Sequence, residues 1–417
     1  MAELTKSNKF YGYSVAIGCA IIVFCTQGAL TTFGVYFPYI LETEHYSPTA
    51  VSLMATCCST VAFLVNTFFY SIVKKIGARN TMLAGIFFCG LHYVIYGLSK
   101  SVLHLYIGGA FGGLAMGCAT NAIVSLILTR WFVDKRDQVI SYAMLPMAFG
   151  SAVFSFISGQ FIELTTWRTA YFIVAGLLWV IAIPLCLIMV KESPAACGQL
   201  PLGATEAVVE QERKKEKGAV PEMKTVCFWL MWIGLFLLCL VNPGLSQNLS
   251  NVMRNVGIAG LAASNYTTIA KICGALGFLL LGSVIKKVGG RGATIIFGIA
   301  GVLAPLALFK SGSGFIWLAL ACVLFGITFP TYHLTASYVV MDSFGRERFA
   351  RIYGILQGGA MWAGAFASLV VNGIYEAGGK TSYGPAMNSL AVISVVGMVL
   401  ILIAMSLSPK AKKAKAE

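Results

Sequence analysis

Lys271 lies inside the apolar run Ser264 to Val284, fifteen residues before Lys286. At 1.5 Å per helical residue this is about 22 Å of rise. A hydrocarbon core is about 30 Å thick, so the ammonium cannot comfortably reach water at the nearer surface. A cation at that depth costs at least a few kcal/mol and marks a solute or ion pathway. No acidic residue lies at comparable depth in another apolar run, so a bound anion is the best source of the missing counter-charge. The competing reading is a packing amine held by hydroxyls and carbonyls. His333 stands nine residues before Asp342, about 13 Å from the end of its own run. Its side chain titrates near neutral pH; it could donate to a carboxylate, carry a coupled proton, or simply pack. The amides of Gln27, Asn121 and Gln357, with the Thr31 hydroxyl, can donate to carboxylate oxygens or make interhelical hydrogen bonds. Phe149, Phe278 and Phe329 would add an apolar wall, suiting a carboxylate head on a hydrophobic body.

The elements that must position these groups are membrane helices. Of 417 residues, 58% are hydrophobic and only 11% charged, and mean hydropathy is +0.81, which excludes an ordinary soluble domain. Twelve apolar runs of spanning length fall near 13–38, 48–73, 80–99, 102–129, 138–162, 169–190, 226–249, 260–285, 292–309, 314–341, 350–374 and 384–407. Placing both termini on one side gathers Lys6, Lys9, Lys74, Lys75, Arg79, Arg130, Lys135, Arg136, Lys286, Lys287, Arg291, Arg346, Arg348 and Arg351 there. Only Lys100, Arg168, Arg254, Lys310 and Lys380 lie opposite. The positive-inside rule then predicts cytoplasmic termini in a cell (inner or plasma) membrane. The net charge of +14 is a topology signal facing lipid headgroups, and no nucleic-acid partner is expected. Twelve cysteines sit mostly within apolar runs as small packing residues. They show no zinc-ligand spacing, so no metal, disulfide or cofactor is predicted. The first run is full length with no small-residue cleavage site after it, so no cleavable signal is expected.

Self-similarity appears at a separation of 212 residues. Ile72-Val73-Lys74-Lys75-Ile76-Gly77-Ala78-Arg79 recurs as Val284-Ile285-Lys286-Lys287-Val288-Gly289-Gly290-Arg291. Trp131 to Arg136 likewise aligns with Ser343 to Arg348. Two six-helix bundles follow, over residues 1–190 and 225–417, the second with a basic tail. They are joined by a charged, proline-flanked cytoplasmic linker over 191–224 that reads as a solvated tether.

Parallel six-helix repeats around a long middle loop are the plan of rocker-switch transporters. The chain resembles the major facilitator superfamily, and within it the oxalate/formate antiporter and monocarboxylate porter group. Phe10-Tyr11-Gly12-Tyr13, Phe33-Gly34-Val35-Tyr36, Trp131-Phe132 through Asp134-Lys135-Arg136, Trp167-Arg168 and Arg351-Ile352-Tyr353-Gly354 carry the likeness. It implies an all-α membrane fold with spans 1, 2, 4, 5, 7, 8, 10 and 11 lining a central cavity. By the same likeness, Phe278 occupies the antiporter's span-8 arginine position, with Lys271 two turns along that face. His333 falls on a substrate-facing tyrosine, Ala360 on a second cation, and Gln357 on a nearby aromatic. One cavity cation in place of two favours a monoanion over a dianion. The proton-coupling residues of monocarboxylate porters are absent, with Thr31 standing near one of them. Lys74 and Lys286 also replace the family's usual loop acid. A charge-swapped cytoplasmic gate is therefore predicted, pairing Lys74 or Lys75 with Glu347 or Asp342 and Lys286 or Lys287 with Asp134 or Asp137. Exposed pairs of this kind are worth about 0–1 kcal/mol each; plain positive-inside loops are the alternative.

These residues predict a secondary transporter of a small monocarboxylate, working as a monomer by alternating access through proton symport or anion exchange. Export of an amphipathic or neutral compound is the second reading, and a transporter-like solute sensor a distant third. No nucleophile–base pair, carboxylate pair or metal cluster argues for an enzyme.

Overall fold

The computed structural model describes residues 10–119, 121–132, 136–203, 225–344 and 349–408. The described residues fold as twelve spans. The first half holds span 1 (Gly12–Leu30 and Phe33–Glu44), span 2 (Pro48–Thr67 and Phe69–Ile76), span 3 (Ala78–Gly97), span 4 (Val102–Cys118 and Asn121–Trp131), span 5 (Arg136–Met144 and Pro146–Leu164) and span 6 (Trp167–Met189). In the second half, span 7 is Val226–Asn255, and spans 8 and 9 share Gly260–Phe309, divided at Gly289. Span 10 (Phe315–Thr328 and Thr331–Phe344), span 11 (Phe349–Ala377) and span 12 (Gly384–Ser406) complete it.

Nine of these stretches are long and apolar enough to cross a membrane. The other three carry the reasons they fall short. Span 3 opens on Arg79 and Asn80, span 8 carries Ser264, Asn265, Thr267, Thr268 and Lys271, and span 10 is broken at Phe329–Pro330. Span 1 runs to Glu44, beyond its expected end near 38, because Pro38 does not stop a helix whose neighbours shelter the freed carbonyl.

Each half has its own core. One buried cluster draws on residues from Val15 to Val190 alone. Two others belong to the second half, and only Ala148 crosses into them. The sequence repeat becomes a structural one at the face that carries the termini. Gly77 (φ 84°) and Gly289 (φ 69°) adopt the left-handed region that glycine enters at little cost. Each starts the next span beneath a carboxylate. Glu192 Oε1 accepts from the Ala78 N–H at 3.0 Å, and Asp342 Oδ2 accepts from the Gly290 N–H at 2.5 Å. A carboxylate at a helix N-terminus satisfies an orphan donor and meets the positive end of the helix dipole.

The linker is not a free tether from its first residue. Residues 191–203 lie against the first half: Trp131 Nε1 donates to the Lys191 carbonyl, Leu202 N–H to the Trp131 carbonyl, and Tyr11 N–H to Gln199 Oε1. The charged stretch from Glu206 to Lys224 lies outside the described residues.

The halves meet mainly toward the distal face, opposite the termini. Arg254 pairs with Glu42, Thr49 N–H donates to Glu376, Ser52 Oγ lies 3.1 Å from Ser368 Oγ, and Gln160 donates to Asn265. Gly34 gives span 1 room against span 7, since a Cβ there would sit 2.4 Å from the Ser246 carbonyl. Along spans 2 and 11 contact continues inward as far as the stacked Phe63 and Trp362 rings.

Burial pushes the Glu192 carboxyl up, but the Ala78 N–H and the Arg130 guanidinium outweigh it and hold the group below its ordinary value of 4.5. A depressed acid contributes stability above its unfolded value and loses it as pH falls through the folded one. The Glu192 side chain is 41% exposed, so the contribution should be at most about 1 kcal/mol. Thermal unfolding in detergent should show wild type more stable than Glu192→Gln near neutrality, the gap closing as pH drops below the ordinary carboxylate range. A gap independent of pH would mean that the carboxylate charge is not its source.

Candidate functional site

Spans 1, 4 and 10 are each interrupted in mid-course, span 7 carries a proline there, and these irregularities lie around one cavity. In span 1 the helix breaks at Thr31 and Thr32: the Val35 N–H, which a continuous helix would give to the Thr31 carbonyl, goes to Thr32 instead. Span 4 breaks after Ala119, whose carbonyl accepts from Thr26 Oγ1 at 3.1 Å. Pro243 sits inside span 7 and lacks the N–H that would bond the Cys239 carbonyl. Span 10 breaks at Phe329–Pro330, where Asn242 Nδ2 donates to Thr328 Oγ1 across the gap at 3.3 Å. Irregular backbone at membrane depth survives only where protein or a cavity satisfies it, and broken helices of this kind mark solute sites.

The cavity has a volume of about 150 Å³, the size that admits a benzene-sized guest. Its walls include Gln27, Thr31, Thr32, Cys58, Ser59, His92, Tyr93, Tyr96, Ser151, Tyr171, Asn242, Ser246, Gln247, Phe329 and Tyr332. Among the described lining residues none is Asp, Glu, Lys or Arg. A second, smaller space of about 30 Å³ shares Ser59, Met116 and Tyr332 with the first and adds Phe63, Asn66 and Gly358. It extends the cavity toward the face of the termini.

Lys271 is only 1% exposed and stands just behind this wall. Its Nζ donates to the Thr31 carbonyl at 2.7 Å and to Ser155 Oγ at 2.7 Å. Both acceptors belong to the first half, Lys271 to the second. The carbonyl that the span-1 break leaves without its helical donor is thus the one the ammonium takes. Thr31 faces the cavity with its hydroxyl, which donates to the Gly28 carbonyl at 2.8 Å and lies 2.9 Å from Ser151 Oγ, from which it can accept.

The expected site residues divide into those that line the cavity and those that do not. Lys271 does not line the cavity, and protein oxygens fill the place expected for an anion. Phe278 packs on the second half's core, because the face it shares with Lys271 turns toward neighbouring helices. Phe149 is 36% exposed and away from the cavity. Gln357 lies behind Tyr332, donating to its carbonyl at 3.1 Å, with Oε1 unpartnered. Gln27, Thr31 and Phe329 do line it. Asn121 opens the inner part of span 4 and His333 lies in span 10, but both side chains fall outside the described residues.

Of the gate residues, Lys74, Lys75 and Lys287 are exposed, and Asp342 is engaged within its own half. Asp134 and Glu347, and the side chains of Asp137 and Lys286, lie outside the described residues.

Spans 3 and 6, left out of the expected lining, supply His92, Tyr93, Tyr96 and Tyr171. His92 is buried, with Nδ1 2.7 Å from the Gly108 carbonyl. A carbonyl only accepts, so Nδ1 carries a proton. Tyr93 Oη donates to the Ala29 carbonyl, and Tyr171 stacks on Tyr36 with centroids 3.8 Å apart. The Tyr171 hydroxyl is buried without a hydrogen-bond partner. The recurrence of Tyr and His every three or four residues in span 3 is the sequence signal for this wall.

A family model described as Major Facilitator Superfamily matches residues 19–368 and 231–417. The oxalate:formate antiporter of Oxalobacter formigenes is 24% identical over 317 residues, covering 75% of this chain and 71% of its own. The transporter ESBP6 of Saccharomyces cerevisiae is 22% identical over 351 residues, 81% of this chain; the match spans half of that relative's length. The crystal structure of the nucleoside transporter NupG superposes with a TM-score of 0.72 at 13% identity, covering 95% of this chain and 99% of that one.

A buried hydroxyl with no partner carries its desolvation cost without return, about 1–3 kcal/mol. Tyr171→Phe should therefore leave thermal stability unchanged or raised, and should alter transport only if a solute completes that hydroxyl's bonding. A marked fall in melting temperature would show that the hydroxyl is satisfied within the protein.

Proposed function

The chain belongs to the Major Facilitator Superfamily of membrane transporters, and from that premise we propose that it carries a small monocarboxylate by rocker-switch alternating access. The observation that supports this most is Lys271. It is a buried amine with no acidic partner among the described residues, one residue behind a cavity wall that itself carries no charge. An ammonium in low dielectric attracts an anion strongly and repels a cation. The cavity suits a carboxylate on a compact body: amides and hydroxyls from Gln27, Thr31, Ser151, Asn242 and Gln247 for the head, Phe329 and Met147 for the rest. About 150 Å³ is below the usual 300–1,000 Å³ of sites for drug-sized ligands. The antiporter relative, named for oxalate and formate, points to the same class. With one buried ammonium, a monoanion leaves a neutral complex and a dianion does not.

Coupling is by a co-transported proton or by exchange. His333 remains a proposed solute or proton contact, with Asn121 beside it in span 4. The basic loops of that face support cytoplasmic termini in a cell membrane. One chain encloses the cavity, so the monomer is the proposed working unit. The charge-swapped gate is retained as a proposal for the state in which the cytoplasmic face closes. Lys74, Lys75 and Lys287 are free to move there, while Asp342 would have to leave its helix cap. A neutral small solute is the second reading, supported by the uncharged lining.

Uptake into proteoliposomes across formate, lactate, benzoate and oxalate, for wild type beside Lys271→Gln, tests the proposal. Monocarboxylate flux should fall by about 10–100-fold in the variant, the worth of a charged hydrogen bond. Preloading vesicles with the same anion, against imposing a pH gradient, separates exchange from symport. Flux indifferent to Lys271, or confined to uncharged solutes, would overturn the anion reading.

A further inference from the structure

We infer that the Lys271 ammonium alternates between two sets of partners, the Thr31 carbonyl with Ser155 Oγ while the distal face is closed, and the carboxylate of the transported anion once that face opens. The same group is then both the staple of the distal gate and its anion receptor. This rests on the anion reading of the site.

Three observations carry it. Both acceptors lie on the opposite half from Lys271, at 2.7 Å each, so any motion that parts span 8 from spans 1 and 5 breaks both bonds together. The Thr31 carbonyl has lost its helical donor to the break in span 1, so the staple has a ready-made acceptor that no other backbone group takes. The other polar contacts around it, Arg254 with Glu42, Thr49 with Glu376, and Gln160 with Asn265, lie toward the distal face, so Lys271 is the innermost of these polar contacts of the closed seam. The groups facing Lys271 from spans 1 and 5 are neutral.

The consequence is directional. In the closed state two of three ammonium hydrogens are held by protein and the side chain is 1% exposed, so an anion in the cavity loses its strongest attraction. It leaves toward the terminal face, the side on which the second, smaller space lies. Reopening the distal face strips the ammonium of both acceptors at a depth where water is scarce, which is unfavourable unless an anion replaces them. Exchange should therefore outrun net efflux.

Single-molecule fluorescence between dyes clicked onto noncanonical amino acids at positions 100 and 259, in two of the distal loops, reads the gate directly and leaves the twelve native cysteines in place. Without ligand, Lys271→Met and the milder Ser155→Ala should each raise the open-to-closed ratio about tenfold, one charge-assisted hydrogen bond's worth. Formate, lactate or benzoate should raise the ratio in wild type and leave Lys271→Met unmoved. An unchanged ligand-free ratio in both variants, alongside Lys271-dependent uptake, overturns the staple alone. Variants that open while all three carboxylates leave wild type unmoved overturn the inference together with the anion reading.

Discussion

A carbonyl without its helical donor and an ammonium without a counter-ion meet at the seam between the two halves, and the arrangement of the site depends on that meeting. Hydrocarbon supplies no water to either group, so each must be satisfied by protein. Had span 1 been a continuous helix, the Thr31 carbonyl would be bonded to Val35 and Lys271 would face only hydroxyls. The break makes a strong acceptor available at the depth where span 8 carries its cation. The same break turns the Thr31 hydroxyl toward Ser151 and the cavity. Backbone irregularity, inter-half contact and solute wall are thus consequences of one local departure from helix geometry.

The two halves solve an identical backbone problem with different residues. At Gly77 and at Gly289 the chain turns through a left-handed conformation, and the first N–H of the following span points away from any helical acceptor. In the first half the acceptor is Glu192, which arrives after span 6 and also binds Arg130. In the second it is Asp342, which arrives at the end of span 10. The repeat therefore conserves the requirement for a capping carboxylate rather than its position. An acid committed to a cap is not free to form a gate across the halves, and Asp342 would have to exchange one role for the other as the molecule changes state.

Much of the fold could be read from the sequence because hydrophobic length and charge asymmetry are properties of segments. The twelve runs, the repeat at 212 residues and the division into halves all follow from such sums. The site was less legible. Lys271 announced itself because a cation in an apolar run is costly wherever it points, yet its partner, a main-chain carbonyl 240 residues away, leaves no trace in side-chain chemistry. The tyrosines of span 3 and Tyr171 are, by residue type alone, indistinguishable from ordinary aromatic packing. Phe278 is expected at the cavity from the antiporter's arginine position and Phe149 from its place in span 5, but which face of a helix meets the centre depends on tilts and breaks that composition does not encode.

On the proposed anion reading, selectivity follows from the balance of charge more than from any contact. Among the described residues the cavity wall is neutral and the nearest ammonium sits one residue behind it. A cation entering would meet that field with no carboxylate to screen it. A dianion would keep one uncompensated charge in a low-dielectric space, where the desolvation cost outweighs the attraction of a single ammonium. A monoanion cancels the charge, and the amides and hydroxyls of the wall can then satisfy its remaining lone pairs. A neutral solute gains nothing from Lys271 and offers no replacement for the Thr31 carbonyl and Ser155 hydroxyl, so its arrival would not help the distal seam to open. The chemistry that favours a monoanion is therefore also what would let the solute's arrival be felt by the gate.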